Sequence, residues 1–392
     1  MRSDWKKTTI DEVCSRIYSG GTPSTKEPKY WNGDINWLSS GETRNKFIYG
    51  TERKITRLGV EESSTQLALK DSVVIATAGQ GYTRGQASFL KIDTYVNQSV
   101  LVFEADTQVI EPLFLYYNLS NRYEELRQLS DGTSTRGGLS GWIVKRMDID
   151  LPSLSLQKKI VDILYDIDQK IECNTAINKN LEEQARAIFK NLFIDLTPFS
   201  TDGSLPLGWR GGKVNEIVEF HDAKRIPLSN AMRVNMEKIY PYYGATSCMD
   251  YVDDYIFEGT YLLLGEDGTV IDKNGFPILQ YVDGKFWVNN HAHILTGKTG
   301  FSVEWLYLMF SMTKVDSIVT GAVQPKISQS NLKKIALIIP PFDVLSSFDR
   351  IIQPMFVKLR NNRLENMRLA ELRDFLLPRL MSGEIDVSDI AL

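Results

Sequence analysis

Through residues 1 to about 152, hydrophobic and polar positions alternate in short runs bounded by glycine, proline and asparagine, the pattern of strands joined by turns. This reading predicts a strand or turn entering a helix start over 5–13. Strands are expected over 35–38, 72–76 and 96–103, with another over 147–151 running into Pro152. Polar loops are expected at 18–24 (YSGGTPS) and 131–138 (DGTSTRGG). Apolar residues take helical spacing over 112–127, at Leu113, Leu115 to Tyr117, Leu119, Tyr123 and Leu126. Pro112 suits a first turn, where its missing N–H is not needed.

From Leu156 to Phe193 the pattern changes to a seven-residue beat. Ile160, Ile167, Asn174, Leu181 and Ile188 fall seven apart, Ile163 and Ile177 take the intervening +3 positions, and Leu164, Ile171, Ala185 and Leu192 lie beside them. That spacing predicts a coiled-coil seam. Asn174 is a lone amide on it, which costs stability but fixes register and partner number because a facing amide is needed to satisfy it.

The C-terminal segment repeats this beat. Phe348, Met355, Asn362, Leu369 and Leu376 each lie 188 positions after their counterparts, with the amide again third. Pro340, Ile351, Lys358, Asn366, Glu371 and Leu380 repeat Pro152, Ile163, Lys170, Asn178, Glu183 and Leu192 at the same offset. Two copies of one unit follow, with helices whose amides can face each other. Turn residues at 195–208 mark a linker, after which Trp209 answers Trp5, 286–295 answers 95–103, 303–312 answers the Pro112 helix and Gly321 answers Gly132. Pro354 is expected to kink the first turns of the second helix, so that the clean coil begins after it.

Composition narrows the function. The 392 residues carry no apolar run of membrane-spanning length and no signal-peptide core, which predicts a cytoplasmic protein with no membrane partner. Cys14, Cys173 and Cys248 are scattered thiols without disulfide or metal spacing. Net charge is −4, apportioned as 0 over 1–155, −1 over 156–197, −2 over 198–342 and −1 over 343–392. A nucleic-acid binder with that balance must sort its positive charge onto one face.

The search for catalytic chemistry is negative. Ala292–Thr299 (AHILTGKT) lacks the first glycine of a phosphate loop, and Ile339–Phe342 (IPPF) has isoleucine where an amino-methylase needs a polar acceptor. His291 and His293 share a strand face, but no Cys, Asp or Glu at ligand spacing completes a metal set, and His221 reads as a strand histidine. Half-signatures of a nuclease at Asp283–Lys285 and Glu27–Lys29 are short enough to be accidental. What remains is a set of donor-rich loops. Thr22, Gln80, Tyr82, Thr83, Arg84, Gln86, Ser134 and Arg136 in the first copy, and Lys224, Arg225, Tyr242, Tyr243, Gln324 and Lys326 in the second, are the candidate DNA-binding residues. Arginine and glutamine read guanine and adenine edges through paired hydrogen bonds.

Over essentially its whole length the chain resembles a specificity subunit of a type I restriction-modification enzyme. The resemblance rests on the Ser19-Gly20-Gly21-Thr22-Pro23-Ser24 opening, the stretch from Tyr30-Trp31 to Trp37, Val96-Asn97-Gln98 and Val288-Asn289-Asn290, and the LPSL and IPPF strand ends leading into the helices. It implies an α+β fold: two β-rich target recognition domains (1–152 and 198–341) separated by two long spacer helices (153–197 and 342–392) that pair as an antiparallel coiled coil. The expected helix-pairing residues are Ile160, Ile167, Asn174, Leu181, Ile188, Met355, Asn362, Leu369 and Leu376. The implied partners are double-stranded DNA, two modification (methyltransferase) subunits and restriction subunits. No cofactor is expected on this chain; S-adenosylmethionine, ATP and Mg belong to those partners, and the chain itself is expected to be non-catalytic. The second copy has His221-Asp222-Ala223-Lys224-Arg225 where the first has its GGTPS opening, and unlike loops imply a bipartite, asymmetric target. The alternatives are a coiled-coil protein scaffold that touches no DNA, and a complete methyltransferase, whose cofactor loop and polar residue before Pro-Pro are missing.

Overall fold

A computed structural model describes residues 5–79, 81–131, 138–200, 204–321 and 323–390. The chain divides into two compact units, Met1–Ile171 with Met367–Leu392, and Glu172–Asn366. The division falls within both long helices rather than at their ends.

In the first unit, Cys14–Ser19, Val100–Ala105, Val73–Ala76, Ala87–Leu90 and Phe47–Ile48 lie side by side in a five-stranded sheet. A four-stranded sheet has the order Arg53–Ile55, Trp31–Leu38, Thr94–Val96 and Gln66–Ala68, and Lys6–Thr9 pairs antiparallel with Asp148–Leu151. The sheet strands are rich in β-branched and aromatic residues, which suit a pleated, buried surface. Val73, Ile75, Leu101 and Phe103 meet Phe114, Leu115 and Tyr117 of the helix Pro112–Ser120 in one core.

The second unit repeats this plan. Val218–Phe220, Ala292–Gly297, Tyr261–Gly265 and Leu279–Val282 form one sheet, and Cys248–Val252, Tyr240–Tyr243, Lys285–Val288 and Phe257–Glu258 another. Arg210–Lys213 pairs with Ala336–Ile339 as Lys6–Thr9 pairs with Asp148–Leu151. One parallel pairing recurs as well, Trp37 and Leu38 against Tyr95 and Val96, then Tyr242 and Tyr243 against Trp287 and Val288. The helix Val303–Ser311 matches Pro112–Ser120 in length and in its buried apolar face.

Two sequence expectations are corrected here. The run 96–103 breaks at 97–99, because the Asn97 side chain accepts the Ser99 N–H at 3.0 Å and turns the chain between two strands. The helix expected over 112–127 is two helices, Pro112–Ser120 and Tyr123–Asp131. Arg122, at the join, spends its guanidinium on Glu125 and on the Asp148 carbonyl at 2.7 Å.

The long helices are Leu154–Phe189, continued by a π-turn at Lys190–Ile194, and Phe342–Met381. Pro354 does not interrupt the second. Pro354 and Arg350, whose carbonyl loses its partner, are both exposed, so water can take the freed acceptor. Within each unit the two helices run antiparallel: Asp168 meets Arg373 at 2.8 Å in the first, and Glu182 meets Arg363 at 3.0 Å in the second. The heptad seam is less uniform than its spacing. Ile160, Val161 and Leu164 join Leu380 and Met381 in the core of the first unit, with Ile163 and Leu376 packed against them. Ala185, Phe189, Phe348, Ile352 and Phe356 join the core of the second, with Ile188 and Met355 alongside. Ile167 is buried, Leu181 and Leu369 are half-buried, and Ile177 is exposed. Seam positions near the sheets are therefore drawn into domain cores, and the stretch around Asn174 is held by polar contacts instead. Among the described residues no helix is long and apolar enough to cross a membrane.

Candidate nucleic-acid interface

One run of backbone hydrogen bonds collects the loops of the first unit at a single edge. Asn97 donates its N–H to Leu38 O (3.2 Å), Thr77 to Ser99 O (2.8 Å) and Leu139 to Thr77 O (2.8 Å), and the Asn97 side chain closes the turn on Ser99. The second unit carries the same run. Asn289 donates to Tyr243 O (3.0 Å), Glu266 to His291 O (2.8 Å) and Ile327 to Glu266 O (2.8 Å), and the Asn289 side chain accepts the His291 N–H at 2.8 Å. A shared backbone with different side chains on it is what loops on a rigid scaffold need in order to read different ligands. Thr77 and Ser99 in one unit stand where Glu266 and His291 stand in the other.

The opening Gly20-Gly21 has a packing reason. A Cβ on Gly20 would lie 2.0 Å from the Val96 carbonyl oxygen, and one on Gly21 would lie 2.1 Å from the Ser64 hydroxyl. Both glycine N–H groups donate into the Val96–Asn97 backbone, at 3.1 and 3.3 Å. Thr22 is thereby placed on the edge, its hydroxyl donating to Gln98 Oε1 at 2.5 Å.

Of the other first-unit candidates, Tyr82 is 86% exposed, while Thr83 and Gln86 are half-buried. Arg84 turns inward: it is 5% exposed and its guanidinium pairs with Asp131. The arginine expected at a base edge is therefore spent inside the unit, because Asp131, at the end of the helix Tyr123–Asp131, supplies a carboxylate beneath the loop. Gln80, Ser134 and Arg136 lie outside the described residues.

In the second unit Lys224, Gln324 and Lys326 are exposed at the edge. Lys326 Nζ lies 3.1 Å from Glu266 Oε1. Arg225 is committed to the protein, its Nη1 lying 2.5 Å from Glu266 Oε2 and 2.8 Å from Ala292 O, and its Nε 3.0 Å from Asp222 O. Tyr242 is 2% exposed, packs with Leu228 and Val252, and takes the Leu228 N–H on its hydroxyl at 3.0 Å. Strand alternation sends it inward. Tyr243 is half-buried against Phe286, and burial pushes its hydroxyl up to about 12, so it stays neutral. Arg225 and Tyr242 thus shape the edge from within.

A cluster beneath the second edge was not foreseen. His293 is 1% exposed, with Nδ1 2.6 Å from Asp222 Oδ2 and Nε2 2.8 Å from the Ile327 carbonyl. Asp222, Glu266 and His293 bring three ligand-type atoms within 4.8 Å of one another. Local spacing could not reveal this, since Asp222 lies 71 positions before His293. Arg225 and Lys326 already sit on the Glu266 carboxylate, so the geometry is that of an ion-pair network rather than a vacant cation cage. Burial pushes the Asp222 and Glu266 carboxyls up, but the His293 hydrogen bond and the Ile294 N–H on Asp222, with Arg225 and Lys326 on Glu266, outweigh it and leave both below the ordinary carboxylate range.

Comparison with known proteins follows this duplication. The family described as "Type I restriction modification DNA specificity domain" matches residues 2–183 and again 206–373. The type I restriction enzyme MjaIX specificity subunit of Methanocaldococcus jannaschii is 27% identical over 99% of this chain and 95% of its own length. The HindI specificity subunit of Haemophilus influenzae is 24% identical over 98% of this chain and 100% of its own length. The crystal structure of a type I restriction-modification S subunit from M. genitalium superposes with a TM-score of 0.62 at 17% identity, covering 96% of each chain.

Proposed function

The chain belongs to the type I restriction-modification DNA specificity family, and from that premise we propose that it reads a bipartite, asymmetric sequence in double-stranded DNA, one half with each unit. As a specificity subunit it is the DNA-target-recognition component of its system. The observation that carries the finer reading is the recurrence of one backbone hydrogen-bond run in both units under unlike side chains, Thr77 and Ser99 against Glu266 and His291. Like scaffolds give like approach to a groove, and unlike side chains give unlike half-sites. Lys224, Gln324 and Lys326 in one unit and Tyr82 in the other are the described candidates that are exposed, with Thr22 half-buried at the first edge. In this reading the chain performs no chemistry. It recruits two modification subunits that carry S-adenosylmethionine, and restriction subunits that use ATP and Mg, in the cytoplasm.

Exchange of residues 1–152 for the equivalent segment of a relative, followed by methylome sequencing of cells carrying the complex, tests the proposal. One half of the methylated motif is expected to change while the other stays. Change in both halves overturns the division of labour. A chain that assembles with methyltransferase subunits yet binds no duplex at low salt is a scaffold instead.

A further inference from the structure

On the loop that follows Ala76, Tyr82 stands outward on a backbone held from beneath. Tyr82 is 86% exposed, and among the described residues its ring and hydroxyl meet no partner. Its backbone is held by the helix Tyr123–Asp131: the Tyr123 hydroxyl donates to Tyr82 O at 3.0 Å, and Arg127 Nη1 donates to Gly81 O at 2.6 Å. Within the loop Gly85 N bonds Ala76 O at 2.8 Å and Gln86 N bonds Thr83 O at 2.9 Å. Gly79 and Gly85, with φ of 118° and 85°, supply the left-handed turns at either side. Beneath it Arg84 pairs with Asp131.

An exposed aromatic ring on a braced backbone has a recognisable economy. The loop's ordering cost is met in the free protein, and a tyrosine has only two side-chain torsions left to fix on binding. A ring face stacks on a nucleobase whose own face is free, which in a duplex means an extruded base or an unstacked step, whereas a phosphate is met by charge. Resting on the DNA-recognition reading above, we infer that Tyr82 is an aromatic stacking residue that packs against a nucleobase in the half-site read by the first unit. Tyr123, Arg127 and the Arg84–Asp131 pair are positioning residues for it. The inward turn of Arg84 then has a role: it holds the loop that presents the ring.

The test uses the full-length chain and duplexes carrying the motif obtained from the wild-type methylome, with 2-aminopurine placed at successive positions of each half-site. Stacking predicts that one first-half position changes fluorescence on binding with wild type and with Tyr82→Phe, and does not with Tyr82→Ala. Affinity of Tyr82→Ala is expected to fall by about tenfold or more, the scale of aromatic–base stacking. Its salt dependence should stay unchanged, because no charge is removed. The side chain touches nothing among the described residues of the free protein, so its melting temperature should not move. Tyr82→Ala binding within twofold of wild type overturns the inference, as does Tyr82→Phe losing as much as Tyr82→Ala. Wild type failing to bind any duplex overturns instead the DNA-recognition reading on which it rests.

Discussion

Asn174 donates from Nδ2 to Asn366 Oδ1 at 2.9 Å, and its repeat counterpart Asn362 donates from Nδ2 to Asn178 Oδ1 at the same distance. The two seam amides do not pair with each other, as their heptad positions led us to expect. Each reaches the amide one helical turn beyond the other, and the exchange is reciprocal. Both Asn174 and Asn362 are fully buried, and among the described residues the Oδ1 of each has no partner. Such a contact specifies register strongly and stabilises weakly.

The pairs differ in one respect that can be measured. Asn174 Nδ2 also donates to Glu365 at 2.9 Å, whereas Asn362 Nδ2 donates, among the described residues, to Asn178 alone. Asn178→Ala therefore leaves a buried donor unpaired and should cost about 1–3 kcal/mol, while Asn366→Ala leaves Asn174 with Glu365 and should cost about 1 kcal/mol or less. Urea unfolding of the two variants ranks them, and equal losses would show that Glu365 does not support Asn174.

Much of this architecture was legible because it is written twice. The heptad beat with an amide at its third member marked both helices, and alternating runs such as 72–76 marked the central strands. What escaped depends on residues far apart in sequence or on direction. Arg84 sits on a glycine-flanked loop in the sequence, but Asp131 draws it inside. Tyr242 reads as one of several loop tyrosines, but strand alternation aims it at Leu228. The Asp222–His293–Glu266 cluster has no local signature, since three separate elements supply it. Spacing singled out Asn174 and Asn362, which are both buried, but not their partners, because Asn178 and Asn366 carry no apolar-pattern signal.

The glycine pair in the opening gives a prediction about fold rather than recognition. Gly20→Ala places a Cβ 2.0 Å from the Val96 carbonyl oxygen, and the obstacle is backbone that cannot rotate away. Gly50→Ala meets nothing within 4 Å. The first should destabilise the protein by about 2 kcal/mol or more, through displacement of the Val96–Asn97 turn, and the second should stay within about 0.5 kcal/mol of wild type. Thermal melts of both variants check this.

Acid should loosen the second unit through Asp222 and Glu266. Both carboxyls titrate below their ordinary values in the folded protein, so the stability they supply is present above the unfolded-state values and is lost as pH falls through the lowered folded-state values. Melting temperature should therefore hold down to about pH 5 and drop from about pH 4.5 downward. Asp222→Asn with Glu266→Gln should flatten that acid limb while lowering the melting temperature at neutral pH, because Arg225 then loses both anionic partners. An unchanged acid limb in the double variant would assign the acid sensitivity to other groups.

Each unit also buries one carboxylate against an arginine of the second long helix. Asp168, 2% exposed, takes Arg373 Nη1 at 2.8 Å, Lys46 Nζ at 3.1 Å and the Tyr117 hydroxyl at 3.0 Å. Glu304, 5% exposed, takes Arg360 Nη1 at 3.1 Å, the Tyr281 hydroxyl at 2.6 Å and Gln353 Nε2 at 2.8 Å. Burial, then the adjacent carboxylate, holds both tyrosine hydroxyls above their ordinary range, so both remain donors. The difference lies in the cations. Removing Arg373 leaves Asp168 with Lys46, but removing Arg360 leaves Glu304 with neutral donors only, among the described residues. Breaking a buried pair costs on the order of 3–5 kcal/mol when the remaining charge is uncompensated. Arg360→Met should fall in that range and Arg373→Met below it, read as loss of unfolding free energy in denaturant. Adding Glu304→Gln to Arg360→Met removes the stranded charge and should recover part of the loss. A double variant no more stable than Arg360→Met alone would show that the arginine acts through the packing of its alkyl stem and not through its charge.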